Sequence, residues 1–132
     1  MDKPISSGLK ITFLLHFIVA LIFGVLMLFL PQVWGNLAGV WIVSHELYRL
    51  VGAAILAFGL SSLLAYRASQ WESVRIVVLT EIFWTAMAAG ITLYYLVRWY
   101  FPPLYWVTAI LMAGFSVAFI YFYLKNKSTT TR

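Results

Sequence analysis

The chain has 132 residues, of which 64% are hydrophobic, 18% aromatic and only 10% charged. A mean hydropathy of +0.94 excludes an ordinary soluble domain, because a chain of this size could not bury so much apolar surface. The absence of cysteine excludes disulfides, thiolate metal sites and CxxC redox chemistry. The net charge of +5 fits membrane topology and attraction to anionic lipid, so nucleic acid is not implied.

Four apolar segments, each about 20 residues or longer, predict transmembrane helices. The predicted spans cover about residues 11–30, 47–66, 74–97 and 104–124. The first run lacks a small-residue cleavage site, so we expect it to be retained as a helix. Residues 31–46 are predicted to form an interfacial loop anchored by Trp34 and Trp41, and residues 125–132 a polar tail. The predicted fold is an all-α integral membrane four-helix bundle, with residues 1–132 in a single transmembrane domain.

Lysine and arginine are distributed unevenly around these spans, and basic residues that flank spans prefer the cytoplasm. One side of the bundle receives Lys3, Lys10, Arg67, Arg75, Lys125, Lys127 and Arg132. Only Arg49 and Arg98 fall on the other side, together with many of the Trp and Tyr residues. We therefore expect both termini to be cytoplasmic and the protein to be multi-pass in the cell membrane.

The third span carries a carboxylate, Glu81. An ionised side chain in hydrocarbon costs several kcal/mol unless it is paired, hydrated or protonated, which makes it a functional candidate. At a helical rise of about 1.5 Å per residue, Glu81 and His16 both lie roughly 10 Å inside the same boundary. Together with Ser62, Ser116 and Thr85 they predict a polar intramembrane pocket. It could serve as a proton relay or as a structural knot of hydrogen bonds. At helical spacing, the Glu81 face of the span also carries Ala88, Thr92 and Tyr95.

The start of the second span combines a cap with two charges. Ser44 is placed to cap the helix, and Glu46 lies in its first turn, where the helix dipole favours a negative charge. Glu46 and Arg49 are three residues apart and predict an ion pair at the outer interface.

Small residues recur in every span and allow helix backbones to approach closely. The helix-packing positions predicted on this basis are Gly24, Gly52, Gly59, Ala86, Gly90 and Ala113. Ala86 and Gly90 point away from Glu81, which leaves a groove for a neighbouring span or a second protein. On the fourth span Phe115, Phe119 and Phe122 share one face, which we expect to contact the core or lipid.

Arg49-Leu50-Val51-Gly52, followed by AAILAFG, opens the second span with a pattern that resembles small four-helix membrane proteins of the DoxX-like kind. The resemblance covers only this short stretch. It implies a bundle architecture and association with a redox or transport partner, and it transfers no catalytic residue.

The sequence contains no catalytic triad, phosphate-binding loop or spacing of metal ligands, so we expect neither an enzyme nor a cofactor or metal site. Three functions stay open. The leading hypothesis is a non-catalytic accessory or assembly subunit that packs against lipid, a second copy or a partner membrane protein. The alternatives are a small proton-linked transporter or channel that uses Glu81 and His16, and a binder of a lipophilic ligand such as a quinone or sterol.

Overall fold

The computed structural model describes residues 3–98 and 103–127. In these residues the chain forms five α-helices: α1 (Ser7–Phe29), α2 (Pro31–Ala38), α3 (His45–Arg67), α4 (Trp71–Arg98) and α5 (Pro103–Lys127). Four of them, α1, α3, α4 and α5, are long and apolar enough to cross a bilayer. The predicted all-α bundle with four spans is confirmed, and it indicates an integral membrane protein.

The long helices extend slightly beyond the predicted spans because polar residues close their ends. The Ser6 hydroxyl accepts from the Leu9 amide at 3.4 Å, so α1 begins at Ser7. Ser44 caps α3 in the same way and accepts from the Leu47 amide at 3.3 Å, as predicted.

Helix α5 continues to Lys127, so the first three residues of the predicted polar tail extend the fourth helix beyond the predicted end of its span. The buried Asn126 side chain donates to the Phe122 carbonyl at 2.8 Å and supports this last turn. Residues 128–132 of the predicted tail, with Arg132, lie outside the described residues.

Helix α2 lies in the segment that was predicted to be a loop. Pro31 opens it at a position where a missing amide hydrogen costs nothing, and Gly39 ends it with a φ of 63°, the left-handed region that glycine favours. Trp41 is 88% exposed, as expected of an interfacial anchor, whereas Trp34 is only 9% exposed. The anchor prediction is wrong for Trp34, because α2 turns this side chain inward, where it contacts Phe23 with ring centroids 5.1 Å apart.

Glycines allow α1 and α3 to pack closely. A Cβ atom at Gly52 would lie 2.5 Å from the Leu28 backbone nitrogen and 2.9 Å from the Gly24 carbonyl oxygen. One at Gly59 would lie 2.9 Å from the Ala20 Cβ. Gly24, Gly52 and Gly59 are therefore packing positions, as predicted. The bundle consists of two closely packed pairs, α1 with α3 and α4 with α5, and the contact of α3 with α4 is much less extensive.

The two pairs are joined at the basic end of the bundle, defined by Lys3, Lys10, Arg67, Arg75, Lys125 and Lys127; the opposite end is called the aromatic end. Here the Trp71 amide donates to the Lys3 carbonyl at 2.8 Å, and the Ile5 amide donates to the Ser69 carbonyl at 3.1 Å. A buried hydrophobic cluster lies directly inside this end and includes Leu9, Phe13, Trp71, Val74, Val78, Phe115 and Phe119. The prediction of core contact is met by Phe115 and Phe119.

Apolar side chains cover the outside of the bundle, and several polar side chains are buried inside it. Ile76, Phe83 and Val97 of α4 are largely exposed, while Glu81 and Thr85 of the same helix are fully buried. This distribution suits a protein surrounded by lipid. In water the same surface would be a very large exposed apolar patch. On α4, Ala86 and Gly90 are exposed, and a Cβ atom at Gly90 would meet nothing within 4 Å, so the described residues leave the predicted groove unfilled. Ala113 of α5 is half-buried.

We predict that Gly52→Ala destabilises the bundle by about 1–3 kcal/mol, because the new methyl group meets backbone atoms that cannot move aside. Gly114→Ala is the matched control, since a Cβ atom there meets nothing within 4 Å. That control should gain about 0.5–1 kcal/mol from helix propensity. Thermal unfolding in detergent, followed by circular dichroism, measures both. Equal melting temperatures for the two variants would contradict the close contact of α1 with α3.

Candidate functional site

The Glu81 carboxylate lies in the interior of the bundle, with none of the residue exposed. One of its oxygens, Oε1, accepts hydrogen bonds from two serines of α3: Ser62 at 2.9 Å and Ser61 at 3.1 Å. The Ser61 hydroxyl also lies 2.8 Å from the Phe58 carbonyl, so its single hydrogen is divided between two acceptors. Glu81 is therefore tied to α3 mainly through Ser62.

His16 of α1 completes the contact between three helices. Its Nδ1 lies 2.9 Å from the Ser62 hydroxyl, and its Nε2 lies 3.5 Å from Oε2, the second carboxylate oxygen of Glu81. Phe115 and Phe119 of α5 meet the imidazole edge to face, with ring centroids 5.0 and 5.8 Å away. The ring is thus held from α3, α4 and α5 at once. Glu81 and His16 lie at the same level of the bundle and contact each other, as predicted.

Hydrogen counting assigns the protons of this His16–Ser62–Glu81 network. In the arrangement where Ser62 gives its one hydrogen to Glu81 Oε1, the His16 Nδ1 carries the hydrogen that it shares with the Ser62 oxygen. The His16 Nε2 then faces Glu81 Oε2, which has no hydrogen-bond partner among the described residues. Two lone pairs would oppose each other there. A single proton on Oε2 or Nε2 removes this opposition and makes the pair neutral overall.

Thr85 and Ser116 were predicted to belong to the same pocket. In the structure the two side chains take different roles. The Thr85 hydroxyl donates to the backbone carbonyl of Glu81 at 2.7 Å. It therefore bonds within helix α4 and does not donate its hydrogen to the Glu81 carboxylate. Ser116 of α5 is buried beside the network, and no hydrogen bond joins it to His16, Ser62 or Glu81.

A cavity of about 210 Å³ lies next to the network, on the side toward the aromatic end. All five helices line it, and His16 forms part of its wall. Six aromatic side chains contribute to the remaining wall: Phe23, Trp34, Tyr48, Phe58, Trp84 and Tyr105. The polar groups of the wall are few. Thr92 and Thr108 donate their hydroxyl hydrogens to carbonyls of their own helices at 2.7 and 2.9 Å. Each hydroxyl oxygen can therefore still accept a hydrogen bond.

The edge of the cavity between α3 and α4 is formed by two stacked rings. Phe58 and Trp84 lie with centroids 4.9 Å apart and an interplanar angle of 10°. Phe58 also lines a second space, a groove of about 230 Å³ on the outer side of the same helices, together with Ser61 and Thr80. Glu81 therefore lies between two spaces and is linked to the groove by Ser61 and to the cavity by His16.

Sequence reasoning missed most of the cavity wall. The spacing of Ala88 and Thr92 on the Glu81 face did indicate it, and both residues line the cavity. Trp34 and Tyr105 gave no such signal, because aromatic residues near span ends are typical of interfacial anchors.

Glu46 and Arg49 form no ion pair in the part of the chain that the structure describes, which corrects the predicted pairing. Both side chains are exposed, and solvation competes with a weak surface pair. They line a shallow groove at the aromatic end with Leu28 and His45. Among the described residues, no group of three or more His, Cys, Asp or Glu side chains could hold a metal ion.

Comparison with known proteins yields no matching family model, no matching curated protein and no matching solved structure. The function must therefore be inferred from the geometry of the network and the cavity.

We predict that Ser62→Ala destabilises the protein by about 1–3 kcal/mol, because His16 Nδ1 and Glu81 Oε1 both lose a buried partner. Ser116→Ala removes the same hydroxyl from another buried serine, which lies outside the network, and should cost clearly less. Unfolding by sodium dodecyl sulfate titration measures the difference. The role of the network in joining the helices would be disproved if Ser116→Ala cost as much as Ser62→Ala.

Proposed function

We propose that the protein binds a small lipophilic ligand within the membrane, in the aromatic-lined cavity beside His16. The observation that carries this proposal is the cavity of about 210 Å³ inside the bundle. Protein interiors are close-packed and contain few voids larger than a water molecule. An apolar cavity of roughly 150 Å³ is already large enough to bind benzene. The space beside His16 is therefore sufficient for a ligand with one or two rings.

Entry from the bilayer fits the architecture better than entry from water. The basic end is closed by the buried cluster that includes Leu9, Phe13 and Phe119, and Trp34 of α2 covers the aromatic end. The limited contact between α3 and α4 leaves the stacked Phe58 and Trp84 rings as the barrier toward lipid. A lipophile dissolved in the bilayer needs to displace only these two side chains.

This function ranks above a channel, because the buried cluster at the basic end leaves no polar route through the bundle. We further propose the multi-pass orientation in the cell membrane that the basic residues favour, with both termini in the cytoplasm. The resemblance to DoxX-like proteins is compatible with this proposal and adds no ligand to it.

Filling the cavity should abolish binding and preserve the fold. Ala88→Phe places a ring in the cavity, whereas Ala86→Phe places the same ring on the outer face of α4 and is the matched control. We expect naphthylamine, a neutral fluorescent lipophile with two rings, to bind the wild type and Ala86→Phe saturably, and Ala88→Phe at least about tenfold more weakly.

The measurement is probe fluorescence in detergent, corrected for partition into empty micelles. Circular dichroism confirms that both variants fold. The proposal fails if Ala88→Phe binds the probe as tightly as Ala86→Phe does, or if no saturable binding to the wild type is seen.

A second candidate is self-association, which the open outer face of α4 favours. Ala86 and Gly90 are exposed there, and Gly90 has space for a close helix contact. Because the chain has no cysteine, Gly90→Cys introduces a single thiol. Oxidation in native membranes should give a disulfide-linked dimer, and Val117→Cys on the exposed face of α5 should give none. Equal crosslinking of the two variants would exclude a specific α4 interface.

A further inference from the structure

We propose that the ligand of the cavity is a lipophilic organic cation, such as an aromatic amine in its ammonium form, and that its binding releases the proton held between Glu81 and His16. This inference rests on the proposed function, because it names the chemical class of the ligand in the same cavity. It follows from the charges and hydrogen-bonding groups around the cavity.

The wall of the cavity is suited to positive charge. Faces of Trp, Tyr and Phe attract cations, and six aromatic side chains line this space. Thr92 and Thr108 present oxygen lone pairs, because their hydrogens are bound to the carbonyls of Ala88 and Leu104. No lysine or arginine among the described residues lines the cavity, so its wall has no permanent positive charge that would attract an anion or repel a cation.

The counter-ion is present on one side of the cavity. Glu81 is buried behind His16, whose imidazole forms part of the wall. The other titratable residues of the wall are Tyr48 of α3 and Tyr105 of α5, while α2 contributes Trp34 and α4 contributes Trp84, Ala88 and Thr92. Glu81 is therefore the single acidic group beside this space among the described residues.

Because a net charge is costly to bury, binding of a cation in the cavity is coupled to loss of a proton from the Glu81–His16 pair. Without ligand, the proton between Oε2 and Nε2 keeps the Glu81–His16 pair neutral. When an ammonium ion enters the cavity, loss of that proton leaves a carboxylate, and the net charge inside the bundle stays unchanged. The ligand keeps all its N–H bonds, and the proton passes to water through the groove lined by Ser61 and Thr80.

The network is built for such an exchange. Ser61 contacts Oε1 from the groove side, and His16 contacts Oε2 from the cavity side. The hydrogens can rearrange without movement of the helices: Nδ1 passes its hydrogen to the Ser62 oxygen, Ser62 passes its own hydrogen to Oε1, and that proton leaves past Ser61. The proton that faced Oε2 then stays on Nε2. The serines and the histidine thus allow Glu81 to be neutral without a ligand and ionised with one.

The test compares two probes that differ in charge: naphthylmethylamine, which is an ammonium ion at neutral pH, and naphthalenemethanol, its neutral counterpart. Each is titrated calorimetrically into the full-length protein in phosphate and in Tris, whose protonation enthalpies differ. Micelles without protein provide the baseline. For the wild type we expect the amine to bind with release of about one proton, and the alcohol to bind at least about tenfold more weakly with no proton released.

Glu81→Gln should bind the alcohol as the wild type does and lose both the preference for the amine and the proton release. Glu72→Gln removes the same charge from an exposed position in the first turn of α4 and should behave as the wild type.

Equal binding of the two probes to the wild type without proton release would overturn the cation inference and leave the lipophile-binding function standing. Binding of neither probe would overturn both. The proton count of the wild type decides this point even if Glu81→Gln does not fold.

Discussion

The contact of His16, Ser62 and Glu81 is the interaction on which the rest of the structure depends. It joins α1, α3 and α4 at one level of the bundle and lies between the two closely packed helix pairs. A buried carboxylate is expensive in a medium that offers no water, so it must be neutralised by a proton or a partner. The imidazole beside Oε2 allows Glu81 to be neutralised either by a proton or by a charged partner, with the heavy atoms in the same positions. The network therefore holds the helices together and can also change its protonation.

The cavity follows from the way the two pairs meet. Glycines bring α1 and α3 into backbone contact, and the phenylalanines of α5 close the basic end around the imidazole. Toward the aromatic end the pairs separate, and large rings line the gap without filling it. A space that is apolar, enclosed and next to a titratable pair is unusual in a close-packed bundle. In the proposed function, its position links ligand binding to the charge of Glu81.

Much of this architecture could be predicted from the sequence, because hydrophobic length and helical spacing are local properties. The four spans, the cap at Ser44 and the depth of Glu81 and His16 belong to this class. Helix α2 was missed because a short helix in a segment with few charges has no long apolar run. The inward turn of Trp34 and the stacking of Phe58 on Trp84 depend on how the helices are arranged in space. For the same reason, the sequence could indicate that Ser61 and Ser62 lie near Glu81 but could not show which oxygen they bind.

The most direct test of the central claim is the dipolar coupling between isotope-labelled histidine ring nitrogens and glutamate carboxyl carbons, measured by solid-state magnetic resonance in lipid bilayers. With Nε2 of His16 3.5 Å from Oε2 of Glu81, one strong coupling is expected, and it should disappear in His16→Phe and persist in His45→Phe. The exposed His45 ring bonds Gln32 instead and should contribute no such signal. Absence of any strong coupling in the wild type, or its persistence in His16→Phe, would contradict the account.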